Sequence, residues 1–124
     1  MTKKEIINET VEFYSADVSR RASSGTQCHY SIMKNGVEKN CSVGRCMTPE
    51  AIECFKESFI GVHGICIRQK SSIDSVLRPE YHGHTEKFWS SLQKLHDEDM
   101  FWNDQGISAE GQAYVQKMLD VCAD

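Results

Sequence analysis

QCHYSIMKNGVEKNCSVGRCMTPEAI, running from Gln27 to Ile52, reads as a strand, a tight turn, a returning strand, a short loop and the start of a helix. Asn35-Gly36 is its centre, because a type I′ turn needs positive φ at both central residues and this pair tolerates it. A turn there sets Lys34 opposite Val37, Ile32 opposite Lys39, Tyr30 opposite Cys41 and Cys28 opposite Val43. Side chains alternate along strands, so Cys28, Tyr30, Ile32, Val37, Cys41 and Val43 share one face, which is predicted to be buried. His29, Ser31, Met33, Glu38, Asn40 and Ser42 form the other, mostly polar face. A lone two-stranded hairpin is marginal in water, so the apolar face must lie against helices. Gly44 then lets the chain turn. Thr48-Pro49-Glu50 enters a helix with a capping hydroxyl, a first-position proline and an acid in the first turn.

Upstream, Thr2 and Glu5 have capping-box spacing, and Ile6, Ile7, Val11, Tyr14 and Val18 recur at helical intervals. A helix is predicted over residues 3 to about 22, ended by Ser23-Ser24-Gly25. The helix from Pro49 is predicted to run to about Ser58, with Ile52, Phe55 and Phe59 inward. From Phe59 to Lys70 apolar residues are interrupted by Gly61 and Gly64, which reads as a third short strand or an ordered loop. Ser72 caps a short helix from Ile73 to Leu77, stopped by Arg78-Pro79. Tyr81-His82-Gly83-His84 is a loop. Thr85 caps a helix whose Phe88, Trp89, Leu92, Leu95 and His96 make one apolar stripe. Met100-Phe101-Trp102 packs back on the core, Asn103 to Gly106 is a turn, and Ser108 caps a last helix with Tyr114, Val115, Met118, Leu119 and Cys122 inward. The fold class is α+β: a mostly helical single domain over residues 1–124 with a β-hairpin at about 27–43.

Composition sets the class of partner. At 124 residues the chain is long enough for a real core, and 40% apolar with 26% charged residues is globular usage. A net charge of −4 gives no basic face for nucleic acid. No apolar run approaches the ~20 residues that span a bilayer, and no signal peptide is read at the start. The six cysteines are therefore expected as reduced thiols in a cytoplasm.

Four groupings could carry chemistry, and each has a plainer reading. Cys28, Cys41 and Cys46 could contribute to a zinc site, but the chain has no C-x-x-C pair and no assigned fourth ligand. Small thiols filling a tight core explain them as well. Cys41 or Cys46 could be a nucleophile near a helix N-terminus, with His96-Asp97 as base and orienting group. Adjacent helical side chains diverge by about 100°, so Asp97 is not expected to hold the His96 ring. Arg20, Arg21 and Arg45 flank the hairpin and, with His96, are the candidate ligand-binding residues for a phosphate or nucleotide. Pairing with internal carboxylates is their plainer use. His63, His82 and His84 read as solvated loop residues rather than a metal or pH site. No catalytic residue and no cofactor is assigned.

The order Ser19-Arg20-Arg21-Ala22, Cys28-His29-Tyr30, Gly36, Cys41-Ser42-Val43-Gly44-Arg45-Cys46-Met47, Leu92-Gln93, His96-Asp97 and Trp102 resembles an uncharacterised family of small phage and bacterial proteins. That family shows C-x-Y, a glycine turn, C-A-[VI]-G and a later L-Q-x-x-H-D; Ser42 stands where its pattern has Ala. The resemblance implies a phage or prophage source, supports the fold and transfers no catalytic residue. The expected function is a non-enzymatic accessory protein that binds a host protein, with Tyr81, Phe101 and Trp102 as candidate surface aromatics whose spacing also fits plain core packing, the preferred reading for Trp102. The alternative is a small-molecule or nucleotide binder using an arginine-lined cleft beside the hairpin. The expected partners are a host protein, with a homodimer or a phosphate ligand as further possibilities, and neither nucleic acid nor membrane.

Overall fold

A computed structural model describes residues 1–24, 27–28, 30–55 and 60–121. Helix α1 spans Lys3–Ala16 and α2 Pro49–Phe55; α3 spans Val62–Gln69, α4 Glu86–Asp97 and α5 Ala109–Val121. Strand pairs β1 (Ser23–Ser24) with β2 (Gln27–Cys28), β3 (Ser31–Lys34) with β4 (Val37–Asn40), and β5 (Trp102–Asn103) with β6 (Gly106–Ile107) are all antiparallel. The architecture is thus α+β and mostly helical, with the hairpin expected around Asn35-Gly36. No helix among the described residues is long and apolar enough to cross a membrane.

Capping chemistry fixes the helix starts. Thr2 Oγ1 accepts the Glu5 N–H at 3.1 Å while Glu5 returns a carboxylate to the Thr2 N–H, closing the capping box. Thr48, Thr85 and Ser108 accept the N–H groups of Ala51, Phe88 and Gly111. Helix α1 stops at Ala16, short of the expected 22. Asp17 leaves helical geometry at φ −159° and takes the Ser19 N–H and hydroxyl on one carboxylate oxygen, starting a separate 3-10 turn, Val18–Arg20. The stripe on α4 is as read: Phe88, Trp89, Leu92, Leu95 and His96 are all buried. Each large apolar side chain so buried contributes roughly 1.5–3 kcal/mol relative to exposure.

The hairpin keeps its register and loses its length. Asn35 and Gly36 have φ of 52° and 78°, and Lys34 pairs with Val37 and Ile32 with Lys39. The ladder ends at Ser31 and Asn40, prolonged by one bond from the Cys41 N–H to the Tyr30 carbonyl. Cys28 pairs with Ser23 instead of facing Val43. The reason is local. Cys41 begins a helical turn in which its carbonyl accepts the Arg45 N–H and its sulfur accepts the Gly44 N–H. Gly44 then lies on the Tyr30 carbonyl so closely that a Cβ would sit 1.9 Å from that oxygen. The shared face is buried at its base, at Tyr30, Cys41 and Val43, but Val37 is 53% exposed at the tip.

The stretch expected as a third strand or loop contains α3; Phe59 lies outside the described residues. Val62, Ile65 and Cys66 form its buried side at helical spacing, and Lys70 ends it in the left-handed region. Residues 73–76 and 79–81 form 3-10 turns, the first shorter than the helix expected to Leu77. Phe101 and Trp102 pack into the core while Met100 stays exposed. On α5, Met118 is buried and Tyr114, Val115 and Leu119 are partly so; Cys122 and the last turn expected for the Pro49 helix lie outside the described residues.

Candidate functional site

The residues singled out in the sequence gather into two polar knots. The first centres on α4, whose Gln93, His96 and Asp97 lie one turn apart. Gln93 Oε1 accepts the Val43 N–H at 3.2 Å, and its amide donates to Asp97 Oδ1 at 2.9 Å. His96 Nδ1 lies 2.8 Å from the same carboxylate oxygen, and Nε2 lies 3.1 Å from the Ala22 nitrogen. A backbone N–H can only donate, so Nε2 is the acceptor and the ring proton sits on Nδ1, directed at Asp97. Arg21 completes the knot, with Nε donating to the His96 carbonyl at 2.9 Å and a terminal nitrogen to Asp99 at 3.0 Å. This corrects the expectation that Asp97 cannot hold the ring. Nδ1 is the ring nitrogen nearest the main chain, and Asp97 is the last residue of α4, where its carboxylate can fold back.

The second knot centres on Arg45. One terminal nitrogen donates to Glu9 at 2.7 Å and the other to Thr10 at 3.2 Å. Tyr81 donates its hydroxyl to the same Glu9 oxygen at 2.7 Å. Arg78 donates to the Arg45 carbonyl at 2.8 Å, and both guanidinium groups lie over the Tyr81 ring. Burial works to raise the Glu9 carboxyl, but the hydrogen bonds from Tyr81 and Arg45 and the charges of Arg45 and Arg78 hold it below its ordinary value.

The four candidate ligand residues do not meet at one point, although the Arg20 and Arg45 guanidinium groups both lie over the Phe13 ring, at 4.5 and 5.5 Å from its centroid. Arg21 and His96 meet in the first knot, and Arg45 lies in the second. Arg20 donates to the Phe13 carbonyl at 2.9 Å and stacks on the Phe13 ring. Two surface cavities of about 230 and 220 Å³ are lined by other residues, the smaller by Gln93, Lys94, Asp97 and Glu98 among others.

The thiols are placed by burial. Cys41 and Cys46 are fully buried, which pushes the first up to about 12 and the second up to about 11. Both are thiols at neutral pH, and the His96 nitrogens are engaged by Ala22 and Asp97 rather than by sulfur. The side chain of Cys28 lies outside the described set. Among the described residues no group of three His, Cys, Asp or Glu side chains is arranged to hold a metal ion, and Cys41, Cys46, Cys54 and Cys66 are free.

Of the loop histidines, His63 faces Glu86 at 2.7 Å, His82 the Leu77 carbonyl and His84 the Met1 carbonyl, each at a separate place. Tyr81 and Phe101, candidates for an exposed surface, are 4% and 7% exposed, and Trp102, read first as a core residue, is 7% exposed. Each is covered by ring or main-chain partners; the Trp102 indole donates to the Leu95 carbonyl at 2.8 Å. Sequence reading gave no site role to Glu9, Thr10, Gln93 or Arg78. Only Gln93 left a signal, its four-residue spacing to Asp97. Comparison with known proteins finds no matching family model, no matching curated protein and no matching solved structure.

Proposed function

We propose that this chain is a small, non-enzymatic accessory protein of phage type that acts in the cytoplasm by binding a host protein, and that the end of the β3–β4 hairpin engages it. The observation that carries this reading is the exposure of Met33 at 64% and Val37 at 53%, one on each face of the hairpin beside the Asn35-Gly36 turn, so that the tip as a whole is apolar and uncovered. Apolar side chains there add nothing to the core. Methionine is flexible and polarizable, and it is enriched in interface cores. The groups that look reactive support the same reading: His96, Arg21 and Arg45 tie elements of the fold together, and Cys41 and Cys46 are buried in its core. The net charge of −4 favours a partner with a basic rim over nucleic acid.

The test is affinity capture from a bacterial lysate with three chains. Wild type is expected to recover a stoichiometric protein, Met33→Lys with Val37→Lys to lose it, and Ile67→Lys, altered at another exposed apolar position, to keep it. Recovery indifferent to the hairpin pair would overturn the assignment of the surface. Failure to recover any protein, with thermal stabilisation by a nucleotide, would overturn protein binding in favour of a phosphate ligand on Arg20, Arg21 or Arg45.

A further inference from the structure

Three arginines and two aromatic rings alternate in one row. The Arg20 and Arg45 guanidinium groups lie 4.5 and 5.5 Å from the centre of the Phe13 ring. Arg45 and Arg78 lie 5.9 and 5.3 Å from that of Tyr81. The order of contacts is thus Arg20, Phe13, Arg45, Tyr81, Arg78, drawn from α1, the 3-10 turns Val18–Arg20 and Gly44–Cys46, and the turn entered at Arg78. A ring covers the face of a guanidinium and leaves its N–H edge, the part that binds oxyanions.

Charge is not balanced along the row. Glu9 is paired with Arg45. Arg20 and Arg78 donate only to main-chain carbonyls, those of Phe13 and Arg45, and neither forms an ion pair among the described residues. Asp17 is within electrostatic reach of Arg20 and of Lys39, but its carboxylate holds Ser19. Acceptors are short as well: the Nε–H groups of Arg45 and Arg78 are buried with no hydrogen-bond partner. In a chain of net charge −4, three guanidinium charges here share one hydrogen-bonded carboxylate.

We propose that this row is a docking strip for an acidic peptide segment, whose carboxylates take the remaining N–H groups of Arg20 and Arg78. A nucleic-acid strand lacks a platform here. Tyr81 is 4% exposed and Phe13 is half-buried under two guanidinium groups, so neither ring is open for a base to stack. The ring distances put the outer arginines no more than about 21 Å apart, a span covered by about six extended residues at roughly 3.4 Å each. The strip contains no residue of the β3–β4 tip, so it stands or falls independently of the host-protein surface proposed there.

The experiment is a titration of the full chain with octaglutamate, followed by backbone amide NMR shifts. Saturable shifts centred on Phe13, Arg20, Arg45 and Arg78 are expected, weakening as salt is raised. Octalysine is expected not to bind. Arg20→Gln and Arg78→Gln should each bind octaglutamate roughly threefold more weakly, the loss of one partly exposed ion pair. Arg68→Gln, at the cation–ring pair with Phe55 on α3, should bind as wild type does. Each variant is read only through its affinity, after its unligated spectrum is seen to match wild type away from the substitution. No saturable shift, equal binding of octalysine, unchanged affinity in both variants, or an equal loss in Arg68→Gln would overturn the proposal. Tighter binding of octathymidylate than of octaglutamate would also overturn it, in favour of nucleic acid.

Discussion

Ala22 and His96, 74 positions apart in the chain, are joined by a 3.1 Å hydrogen bond from the Ala22 N–H to His96 Nε2, with both residues fully buried. One nitrogen of an imidazole thereby anchors the exit of the 3-10 turn at Val18–Arg20 to α4. The other nitrogen is turned to Asp97, and Gln93 carries the connection on to Val43. Three segments far apart in the sequence, at Ala22, Val43 and α4, are thus bound to one another.

His96→Phe keeps a ring in this position but leaves the Ala22 N–H buried and unpaired. The expected cost is about 2 kcal/mol, measured as a lower urea midpoint at unchanged slope. A loss under about 0.5 kcal/mol would mean that the bond contributes little.

Alkaline pH should weaken the fold. Cys41 and Cys46 are held up to about 12 and 11 against an ordinary value of 9.0. Between pH 9.0 and those values the unfolded chain releases protons that the folded chain keeps, so stability falls as pH rises. The limiting slope is about 1.4 kcal/mol per pH unit for each thiol. Cys46→Ala should show a shallower decline than wild type across this window. At pH 8, iodoacetamide should modify the exposed Cys54 before either buried thiol.

Gly44→Ala should be among the most damaging single-methyl changes in the hairpin region, because the new Cβ would meet the Tyr30 carbonyl oxygen at 1.9 Å, a main-chain atom that cannot swing aside. A loss of about 3 kcal/mol or failure to fold is expected. Gly61→Ala is the control, since a methyl group at that position would meet nothing within 4 Å. Equal thermal stability of the two variants would contradict the close approach.

Glu9→Gln removes the charge that Arg45 faces, at a pair where the carboxylate is 37% exposed and Arg45 12%. Solvent screening limits the expected cost to about 1 kcal/mol at pH 7. A carboxyl held below its ordinary 4.5 stabilises the fold above that pH, and the gain disappears as pH falls through the lowered value. The difference between variant and wild type should therefore close in acid. A gap that stays constant as pH falls well below 4.5 would assign the effect to packing.

The parts legible in the sequence are those governed by neighbours along the chain. The Asn35-Gly36 turn, the caps at Thr2, Thr48, Thr85 and Ser108, and the α4 stripe depend on spacings of at most a few turns. The hairpin's length was not legible, since it depends on Cys41 curling back beneath Tyr30. Helix α3 was obscured by Gly61 and Gly64, although Val62, Ile65 and Cys66 keep helical spacing across them. The second knot joins Glu9 to Arg45 and Tyr81 over 36 and 72 positions, distances that no periodicity encodes. The buried places of Tyr81 and Phe101 are not legible in the sequence, because aromatic residues serve interfaces and cores alike.

The bond between Val43 and Gln93 spans 50 positions, and it has a consequence for the order of events during synthesis. The hairpin leaves the ribosome long before the helix that holds its exit. At roughly 5–20 residues per second the delay is about 2.5–10 s. For that interval Cys41, Val43 and Cys46 lack their final cover, and the nascent amino-terminal half is most open to chaperones, oxidants and proteases.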